Sequence, residues 1–319
     1  MLTLSVIVVN WNVGDLLREC LESLYRNTSL PEEDWELIVV DNQSTDGAPE
    51  MIRREFPRAR LVANDYNAGF AKANNQAFAL ARGRYLLLLN PDTIVLDGAV
   101  DRLLELIEGR PDAGAAGCRL LNTDGTTQQF TGGYAAGILN VASYYLFAQR
   151  LLPPQLLPPP LFLEKQPEGD IDVGWVSGCC MLLRREALQD RLFDEKFFLY
   201  GEDLELCQRI LASGWKIVYS PGIRIVHYGG GSRSRQTPEM RVRNLRGLRE
   251  VYLSRRGLKL PWLFDLVMAI AFLIRVGVFG VGSLLKRGKG LEERVEENVL
   301  LLSTSVRYLL GGSTTSTGR

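Results

Sequence analysis

The stretch YLLLLNPDTIV, residues 85–95, lies at the centre of the predicted fold. Its four consecutive leucines predict a strand that is buried on both faces, and this apolar run stops at Asn90-Pro91-Asp92. A carboxylate at the end of a core strand is costly to desolvate unless solvent or a cation balances its charge. The sequence favours a cation beside Asp92.

Short apolar runs alternate with helical patterns through residues 1–120, which is typical of βαβ units and a parallel sheet covered on both faces. The predicted strands are residues 4–10, 35–41, 59–64, 84–90 and 113–120. Four of them end in a polar residue, namely Asn10, Asp41, Asn64 and Asn90. Ligands bind beyond the carboxyl ends of parallel strands, so these residues are candidate pocket residues. The alternative is that each one begins a turn or caps a helix.

The alternation ends near residue 121, and the proline-rich segment 151–162 predicts a loop on an apolar surface. A strand then precedes a helix start at residues 185–188, and a further helix is predicted from Glu202 to Ala212. Residues 214–232 predict two short strands and a glycine-rich loop around His227, the only histidine of the chain.

Residues 260–287 form the most apolar segment of the chain, but Asp265 and Arg275 interrupt the uncharged run of about 18 residues that a simple membrane span needs. On a helix, Asp265, Arg275, Ser283 and Lys286 share an arc of roughly 80°. The pattern therefore predicts a narrow polar stripe and a broad apolar face, as in a helix that lies in a membrane interface. The alternative is a helix packed on the protein's own core.

Charge and cysteine usage narrow the class of protein further. The 37 basic and 37 acidic residues balance, which gives no overall field for nucleic acid, but residues 224–259 form a basic band suited to an anionic surface. The five cysteines lack a CxxC pair, which favours reduced thiols in a reducing compartment. The N-terminus has no basic segment before its β-branched run, so it is interpreted as a first strand, and the catalytic part is expected in the cytoplasm.

Several catalytic motifs are missing from the sequence: G-x-G-x-x-G after the first strand, the phosphate loop, H-E-x-x-H and G-x-S-x-G. What remains is a set of acids at predicted strand ends and helix starts. They occur in DNQSTDG (41–47), NPD (90–92) and FDEKFFLYGEDLELCQR (193–209). A nucleotide diphosphate that must bind and leave suits a divalent cation held by one or two carboxylates and by phosphate oxygens.

These segments resemble those of family 2 glycosyltransferases with a GT-A fold, in particular the rhamnosyltransferase-like group. The matching segments are VVNWN (8–12), DNQSTDG (41–47), NAGFAKANN (67–75), LNPDT (89–93), VSGCCMLLRRE (176–186), residues 193–209, GWKIVYSP (214–221) and HYGGGS (227–232). The resemblance implies an α/β fold with a Rossmann-like, mostly parallel sheet. It further implies a nucleotide-sugar-binding half at 1–120, an acceptor and catalytic half at 121–232, and a membrane-associating region at 233–319 with C-terminal helices.

The resemblance also implies roles for residues in the donor pocket. Asp41 matches the position that holds the donor's base, and Asn10 lines the same pocket. Asn67 and Gly69 match a loop near the nucleotide and the sugar. Apart from the resemblance, Arg184, Arg185 and the arginines of GSRSR are expected to pair with the diphosphate of the donor or of the acceptor, because guanidinium groups bind phosphate in bidentate fashion.

The catalytic and metal positions follow from the same resemblance. Asp203 matches the general base that takes the acceptor hydroxyl proton, with Glu202 and Asp194 in support. Asp92 matches the metal position of the D-x-D motif, which reads Asn90-Pro91-Asp92 here and lacks one acid. His227 matches the later metal ligand.

The predicted activity is inverting, metal-dependent transfer, with Mn²⁺ or Mg²⁺ as cofactor and dTDP-L-rhamnose as the expected donor. The acceptor is a glycan or a polyprenyl-diphosphate-linked sugar at the cytoplasmic face of the cell membrane, in cell-surface polysaccharide synthesis, and no nucleic acid is involved. One alternative is another donor such as a UDP-hexose. Two others are a catalytically silent nucleotide-sugar-binding membrane scaffold and a metal-free enzyme whose arginines neutralise the diphosphate.

Overall fold

The computed structural model describes residues 2–134, 137–163, 165–229, 237–254, 260–286 and 289–312. The chain forms two compact units. The first comprises Met1–Tyr134 and Phe162–Arg235, and the second comprises Ala135–Leu161 and Gln236–Arg319. All the candidate site residues named above belong to the first unit. The functional division predicted at residues 120 and 232 stays a prediction.

The first unit alternates strands with helices along most of its length. Its strands are β1 (Leu2–Asn10), β2 (Trp35–Asn42), β3 (Arg60–Asn64), β4 (Gly83–Leu89), β5 (Thr93–Val95), β6 (Ala113–Leu121), β7 (Gly132–Gly133), β8 (Ile171–Val173), β9 (Trp175–Val176), β10 (Cys180–Arg184) and β11 (Lys216–His227). Its helices are α1 (Gly14–Arg26), α2 (Ala48–Glu55), α3 (Phe70–Leu80), α4 (Ala99–Glu108) and α7 (Glu202–Ala212). The five predicted N-terminal strands and the helix at 202–212 are confirmed.

The main sheet runs in the order β3-β2-β1-β4-β10-β6-β11-β5, and β8 pairs with β11. β1 pairs in parallel with β2 and β4, β2 pairs in parallel with β3, and β6 pairs in parallel with β11. β10 is antiparallel to both β4 and β6. The predicted α/β architecture is confirmed, with its all-parallel part in the N-terminal half.

Two local predictions in the second half of this unit need correction. Residues 216–227, predicted as two strands, form the single strand β11, with a register shift between Ser220 and Arg224. Pro221 lies in this shift, where a residue that cannot donate a ladder hydrogen bond is tolerated. The helix expected from Arg185 is only one 3₁₀ turn, Arg185–Ala187.

The four-leucine run owes its composition to burial on both faces of the sheet. Leu87 and Leu89 pack in one hydrophobic cluster, whereas Leu86 and Leu88 pack in a second cluster on the opposite face. Successive strand residues point to opposite faces, so a strand covered on both sides needs an apolar residue at every position. The run therefore ends where the strand leaves the core, and Asn90 follows immediately.

The second unit consists of helices, namely α5 (Ile138–Tyr145), α6 (Ala148–Leu151), α8 (Pro238–Ser254), α9 (Pro261–Lys286) and α10 (Lys289–Leu309). The first two residues of the polar stripe predicted on α9 face the interior of this unit. Asp265 is buried and accepts hydrogen bonds from Arg249 at 2.7 and 3.0 Å. Arg275 donates to the backbone carbonyls of Tyr144 and Tyr145. Both charges are thus neutralised or hydrogen-bonded inside the unit.

The side of α9 that faces away from this interior is apolar, and we call it the outward face of α9. Its exposed residues are Trp262, Leu266, Ile270, Leu273, Ile274, Val278, Val281, Leu284 and Leu285. Among the described residues, only the helix Pro261–Leu285 is long and apolar enough to cross a membrane. The broad apolar face predicted from the sequence is present, and Asp265 and Arg275 point into the interior of the unit.

The basic band is only partly described. Arg249 pairs with Asp265, and Arg241 pairs with Glu297, so these two arginines serve contacts within the second unit. The basic residues directly before α9 in the sequence lie outside the described residues, as do the arginines of GSRSR; they are Arg233, Arg235, Arg255, Arg256 and Lys259.

Candidate active site

The first part of the site lies at the carboxyl ends of β1 and β2, where Asn10 is in register with Asp41. Both side chains are buried, and Asn10 Nδ2 donates to Asp41 Oδ2 at 2.8 Å. The Ser44 backbone N–H donates to Asp41 Oδ1 at 2.8 Å, so the carboxylate is held from both sides. Asn10 Oδ1 is buried without a hydrogen-bond partner among the described residues. An unsatisfied acceptor beside a fixed carboxylate suits a ligand that donates hydrogen bonds.

The loops after β1 and β2 are bonded to each other around this pocket. The Asn12 N–H donates to Ser44 Oγ at 2.9 Å, and the Thr45 N–H donates to Asn12 Oδ1 at 2.8 Å. Asp46, the second acid of DNQSTDG, accepts from the Gly14 N–H at 2.8 Å at the start of α1. Asp46 therefore satisfies a free backbone N–H at the first turn of α1.

Asn67 and Gly69 form the next part of the site, between β3 and α3. Asn67 Oδ1 accepts from the Gly69 N–H at 2.9 Å, which closes the loop on itself. Gly69 has φ +78°, and a Cβ there would lie 2.6 Å from the Phe198 ring. The Phe70 N–H donates to the Phe198 carbonyl at 3.0 Å. Only glycine allows this close crossing, which brings the loop against the segment that leads into α7.

Asp92 and His227 meet at the end of β4, although they are far apart in sequence. His227 Nε2 lies 3.3 Å from Asp92 Oδ1. The Tyr228 N–H donates to the Asp92 carbonyl, and His227 is in register with Thr93, so backbone pairing fixes this approach. The tertiary structure thus brings together the two predicted metal ligands.

Cys179 also contacts His227, with Sγ 3.6 Å from Nε2. Burial alone would lower the pKa of His227, but the neighbouring Cys179 and Asp92 outweigh burial and raise the pKa to about 10. The pKa of the Cys179 thiol is in turn lowered, because His227 outweighs the effect of burial. The protein without a cation therefore holds a positive imidazolium between two groups that can carry negative charge.

A divalent cation is chemically compatible with these side chains. Within the described ranges, no group of three or more His, Cys, Asp or Glu residues is arranged to hold a metal ion. Asp92 and His227 nevertheless offer one oxygen and one nitrogen 3.3 Å apart, close to the roughly 3 Å between adjacent ligands of one cation. Two protein ligands suffice when a diphosphate and water supply the others.

Asp203 lies at the first turn of α7, which follows Gly201 at φ +97°. Its Oδ2 accepts from the Gly178 N–H at 3.2 Å. Gly178 immediately precedes Cys179, the residue in contact with His227, so two consecutive residues connect the candidate base with the candidate metal ligands. The loop between β9 and β10 thus joins the two chemical parts of the site.

Glu202 differs from Asp203 in its surroundings. It is 5% exposed, and its Oε2 has no hydrogen-bond partner in the part of the chain that the structure describes. Burial, together with the negative charge of Asp203, raises the pKa of Glu202 to about 8. Burial and the neighbouring charge thus favour the protonated, neutral form of Glu202.

The structure does not bring Arg184 to this site. Arg184 pairs with Tyr85 at the amino end of β4, the opposite end from Asn90. It is buried and donates to the carbonyls of Ala113 and Ile107, at 3.0 and 2.7 Å. Arg185 similarly donates to the carbonyls of Gly83 and Ala81. Both arginines satisfy backbone acceptors, so the prediction that they contact the diphosphate is wrong.

Sequence reasoning missed Gln128, Gly178 and Cys179. Gln128 lies in a polar loop without periodicity, so no pattern distinguishes it from its neighbour Gln129. Gly178 and Cys179 follow a short strand in VSGCC. Their position just after a strand end is the one sequence signal that could have marked them as site residues.

Comparison with known proteins shows which family and which relatives the chain resembles. The family model described as "Glycosyl transferase family 2" matches residues 5–192. The chain is 29% identical over 244 residues to the N-acetylglucosaminyl-diphospho-decaprenol L-rhamnosyltransferase of Mycobacterium tuberculosis, covering 73% of this chain and 78% of that protein. It is 23% identical over 231 residues to the rhamnosyltransferase WbbL of Escherichia coli, covering 70% of this chain and 82% of the relative.

Solved structures support the fold. The mannosyltransferase PcManGT from Pyrobaculum calidifontis, in complex with GDP-Man and Mn²⁺, superposes with a TM-score of 0.62 at 18% identity, covering 97% of this chain and 88% of that one. This similarity confirms the predicted GT-A fold.

Proposed function

The chain belongs to glycosyl transferase family 2, and on that premise we propose that it transfers L-rhamnose from dTDP-L-rhamnose to a glycan or polyprenyl-diphosphate-linked acceptor. It is a glycosyltransferase of the inverting type. One observation carries the mechanism, namely that two consecutive residues link the candidate base with the candidate metal ligands. Gly178 donates to Asp203, and Cys179 contacts His227, which lies beside Asp92.

The donor and acceptor follow from the relatives and are part of the proposal. One relative is named for transferring L-rhamnose to a diphospho-decaprenol-linked sugar, and a second is named as a rhamnosyltransferase. The pocket of Asn10 and Asp41 combines two acceptors, which suits the N–H of a pyrimidine such as thymine. Cell-surface polysaccharide synthesis is the process in which such a transfer belongs.

In the proposed reaction, the acceptor hydroxyl lies against Asp203. The Asp203 carboxylate takes the hydroxyl proton as the oxygen attacks the anomeric carbon, and the bond from that carbon to the donor diphosphate breaks. Inversion follows because attack and departure occur on opposite faces. The Gly178 N–H holds Asp203 Oδ2 in position, and the protonated Glu202 adds no second charge beside it.

The diphosphate end of the donor is assigned to Asp92 and His227. These residues would hold a Mn²⁺ or Mg²⁺ ion, and such an ion neutralises charge on a departing diphosphate. The solved mannosyltransferase of the same fold contains Mn²⁺, which supports a cation in this chain too.

Thermal shift measurements test the donor assignment. The chain is titrated with dTDP, UDP and GDP, and with their sugars, each with and without Mn²⁺. A ligand that binds only the folded state raises the melting temperature by mass action. We expect the largest shift with dTDP and dTDP-L-rhamnose, and we expect it to depend on Mn²⁺. A shift confined to UDP compounds would replace the donor by a UDP-hexose, and no shift with any nucleotide would contradict the mechanism.

We further propose that the second unit binds the cytoplasmic surface of the cell membrane. The residues that form the outward face of α9 are all apolar, and Asp265 and Arg275 are bonded within the unit. In sequence, basic residues stand at both ends of this apolar helix; they are Arg255, Arg256 and Lys259 before it, Lys286 as its last residue, and Arg287 and Lys289 after it. Basic residues beside an apolar helix favour anionic lipid headgroups. A lipid-linked acceptor would be available at the same surface.

Charged substitutions on this face are expected to weaken membrane binding. The double variant Leu273→Glu and Val281→Glu should bind phosphatidylglycerol-containing vesicles at least about tenfold more weakly in flotation assays, because each apolar side chain buried contributes about 1.5–3 kcal/mol. The matched control is Val299→Glu on α10, an exposed position near the exposed acids Glu292 and Glu296. Equal binding of wild type and the double variant would contradict the proposal.

A further inference from the structure

The side chain of Gln128 contacts His227 at two points. Gln128 Oε1 lies 2.9 Å from His227 Nδ1, and Gln128 Nε2 donates to the backbone carbonyl of His227. The Gln128 backbone N–H donates to the Leu120 carbonyl at 2.8 Å, which fixes the residue to the end of β6. His227 is 4% exposed, so this contact forms in a largely buried environment.

The pair of contacts determines which way the amide of Gln128 points. A backbone carbonyl only accepts hydrogen bonds, so the amide group that faces the carbonyl of His227 must be the NH₂. The opposite amide atom, Oε1, then faces Nδ1. Because an amide oxygen only accepts, Nδ1 must carry a hydrogen.

This orientation has a consequence for the other ring nitrogen. A neutral imidazole that is protonated at Nδ1 has its lone pair on Nε2. Nε2 is the atom that lies 3.3 Å from Asp92 Oδ1 and 3.6 Å from Cys179 Sγ. In the cation-free protein this position carries the imidazolium proton, and the lone pair would become available to a cation that displaces that proton.

We propose that Gln128 is a positioning residue that fixes the Nδ1–H tautomer and the ring orientation of His227, so that Nε2 is presented as a metal ligand. Hydrogen bonds from a ligating histidine to an outer acceptor typically change metal affinity by about 10- to 100-fold. The inference rests on the proposed function, since it requires a cation at Asp92 and His227. It adds a residue from the loop between β6 and β7 to that site.

The test uses three variants of the full chain. Gln128→Met keeps the length of the side chain but removes both hydrogen bonds. Gln128→Glu keeps an acceptor for Nδ1–H. The matched control is Gln166→Met, which removes another half-buried glutamine side chain that accepts a hydrogen bond, here from the Tyr219 hydroxyl at 2.6 Å.

Two readouts besides activity report on His227. Binding of Mn²⁺ in the presence of dTDP is measured by electron paramagnetic resonance. The tautomer is measured by ¹⁵N nuclear magnetic resonance with Mg²⁺ and dTDP, in protein purified without a polyhistidine tag. His227 is the only histidine of the chain, so a histidine-labelled sample reports one imidazole.

We expect Gln128→Met to weaken Mn²⁺ binding about 10- to 100-fold and to lose the uniform Nδ1–H signature. Gln128→Glu should retain both properties, and Gln166→Met should match the wild type. Wild-type Mn²⁺ affinity in Gln128→Met, with an unchanged tautomer, would overturn the positioning role alone. Failure of the wild type to bind Mn²⁺ with dTDP would overturn the metal assignment, and the role of Gln128 with it.

Discussion

An Asp203→Asn variant is expected to transfer sugar about 10²- to 10⁴-fold more slowly than the wild type, which is the usual contribution of a positioned general base. The amide keeps the size of the carboxylate but cannot take the acceptor hydroxyl proton. The effect should appear in kcat, whereas the donor should bind with nearly unchanged affinity, because Asp203 is assigned to the acceptor side. Initial-rate kinetics with dTDP-L-rhamnose and a lipid-linked acceptor, combined with nucleotide thermal shifts, measure the two quantities separately.

The matched control for Asp203 is Asp190→Asn, which removes an exposed carboxylate in the segment before α7. We expect close to wild-type turnover from it. Retained turnover in Asp203→Asn would exclude Asp203 as the base. Loss of donor binding together with turnover would indicate a structural defect instead. Bound nucleotide with no turnover in either the variant or the wild type would favour the alternative of a silent nucleotide-sugar-binding scaffold.

An Asp92→Asn variant is expected to lose about 10²- to 10³-fold in turnover, a loss typical when one group that stabilises developing charge is removed. Within the part of the chain that the structure describes, Asp92 is the carboxylate paired with His227 Nε2. Its replacement by an amide should weaken Mn²⁺ binding and make the nucleotide thermal shift independent of Mn²⁺. Turnover measured across a Mn²⁺ titration checks both effects.

Asp97→Asn provides the control for Asp92. Asp97 follows Asp92 closely in the chain, its side chain is exposed, and asparagine tolerates its positive φ. We expect Asp97→Asn to behave like the wild type. Turnover that resists a chelator in the wild type would contradict a metal role and favour neutralisation by arginines. Arg184 and Arg185 are bonded elsewhere, so that alternative would rely on the arginines of GSRSR, which lie outside the described residues.

The strands and the strand-end residues could be predicted from sequence because their signals are local. A strand covered on both faces needs an apolar residue at every position, as in the run before Asn90. Parallel pairing then places the ends of neighbouring strands side by side, which is why Asn10 lies beside Asp41. The resemblance to family 2 added Asp203 and His227, whose roles local patterns alone do not indicate.

Arg184 shows where such reasoning fails. Arg184 and Arg185 are assigned to the diphosphate in the sequence analysis. The strand β10 that leads to them runs antiparallel to β4, so it ends beside the amino end of β4, away from Asn90. Strand direction depends on pairing with distant residues, so composition cannot indicate it. The polar stripe of α9 is a second example, because only the packing of Arg249 against Asp265 decides that the charge of Asp265 faces inward.

The sequence by itself determined the alternation of strands and helices, the polar strand ends, and the family, since each rests on short-range periodicity or on contiguous motifs. Only the tertiary structure decided which of those residues meet. Asp92, Cys179 and Gln128 are brought to His227 by β-sheet pairing and by long-range contacts; Gln128 and His227, for example, are 99 positions apart. The physical reason is that chain direction and tautomer are set by long-range hydrogen bonds, which local sequence does not encode.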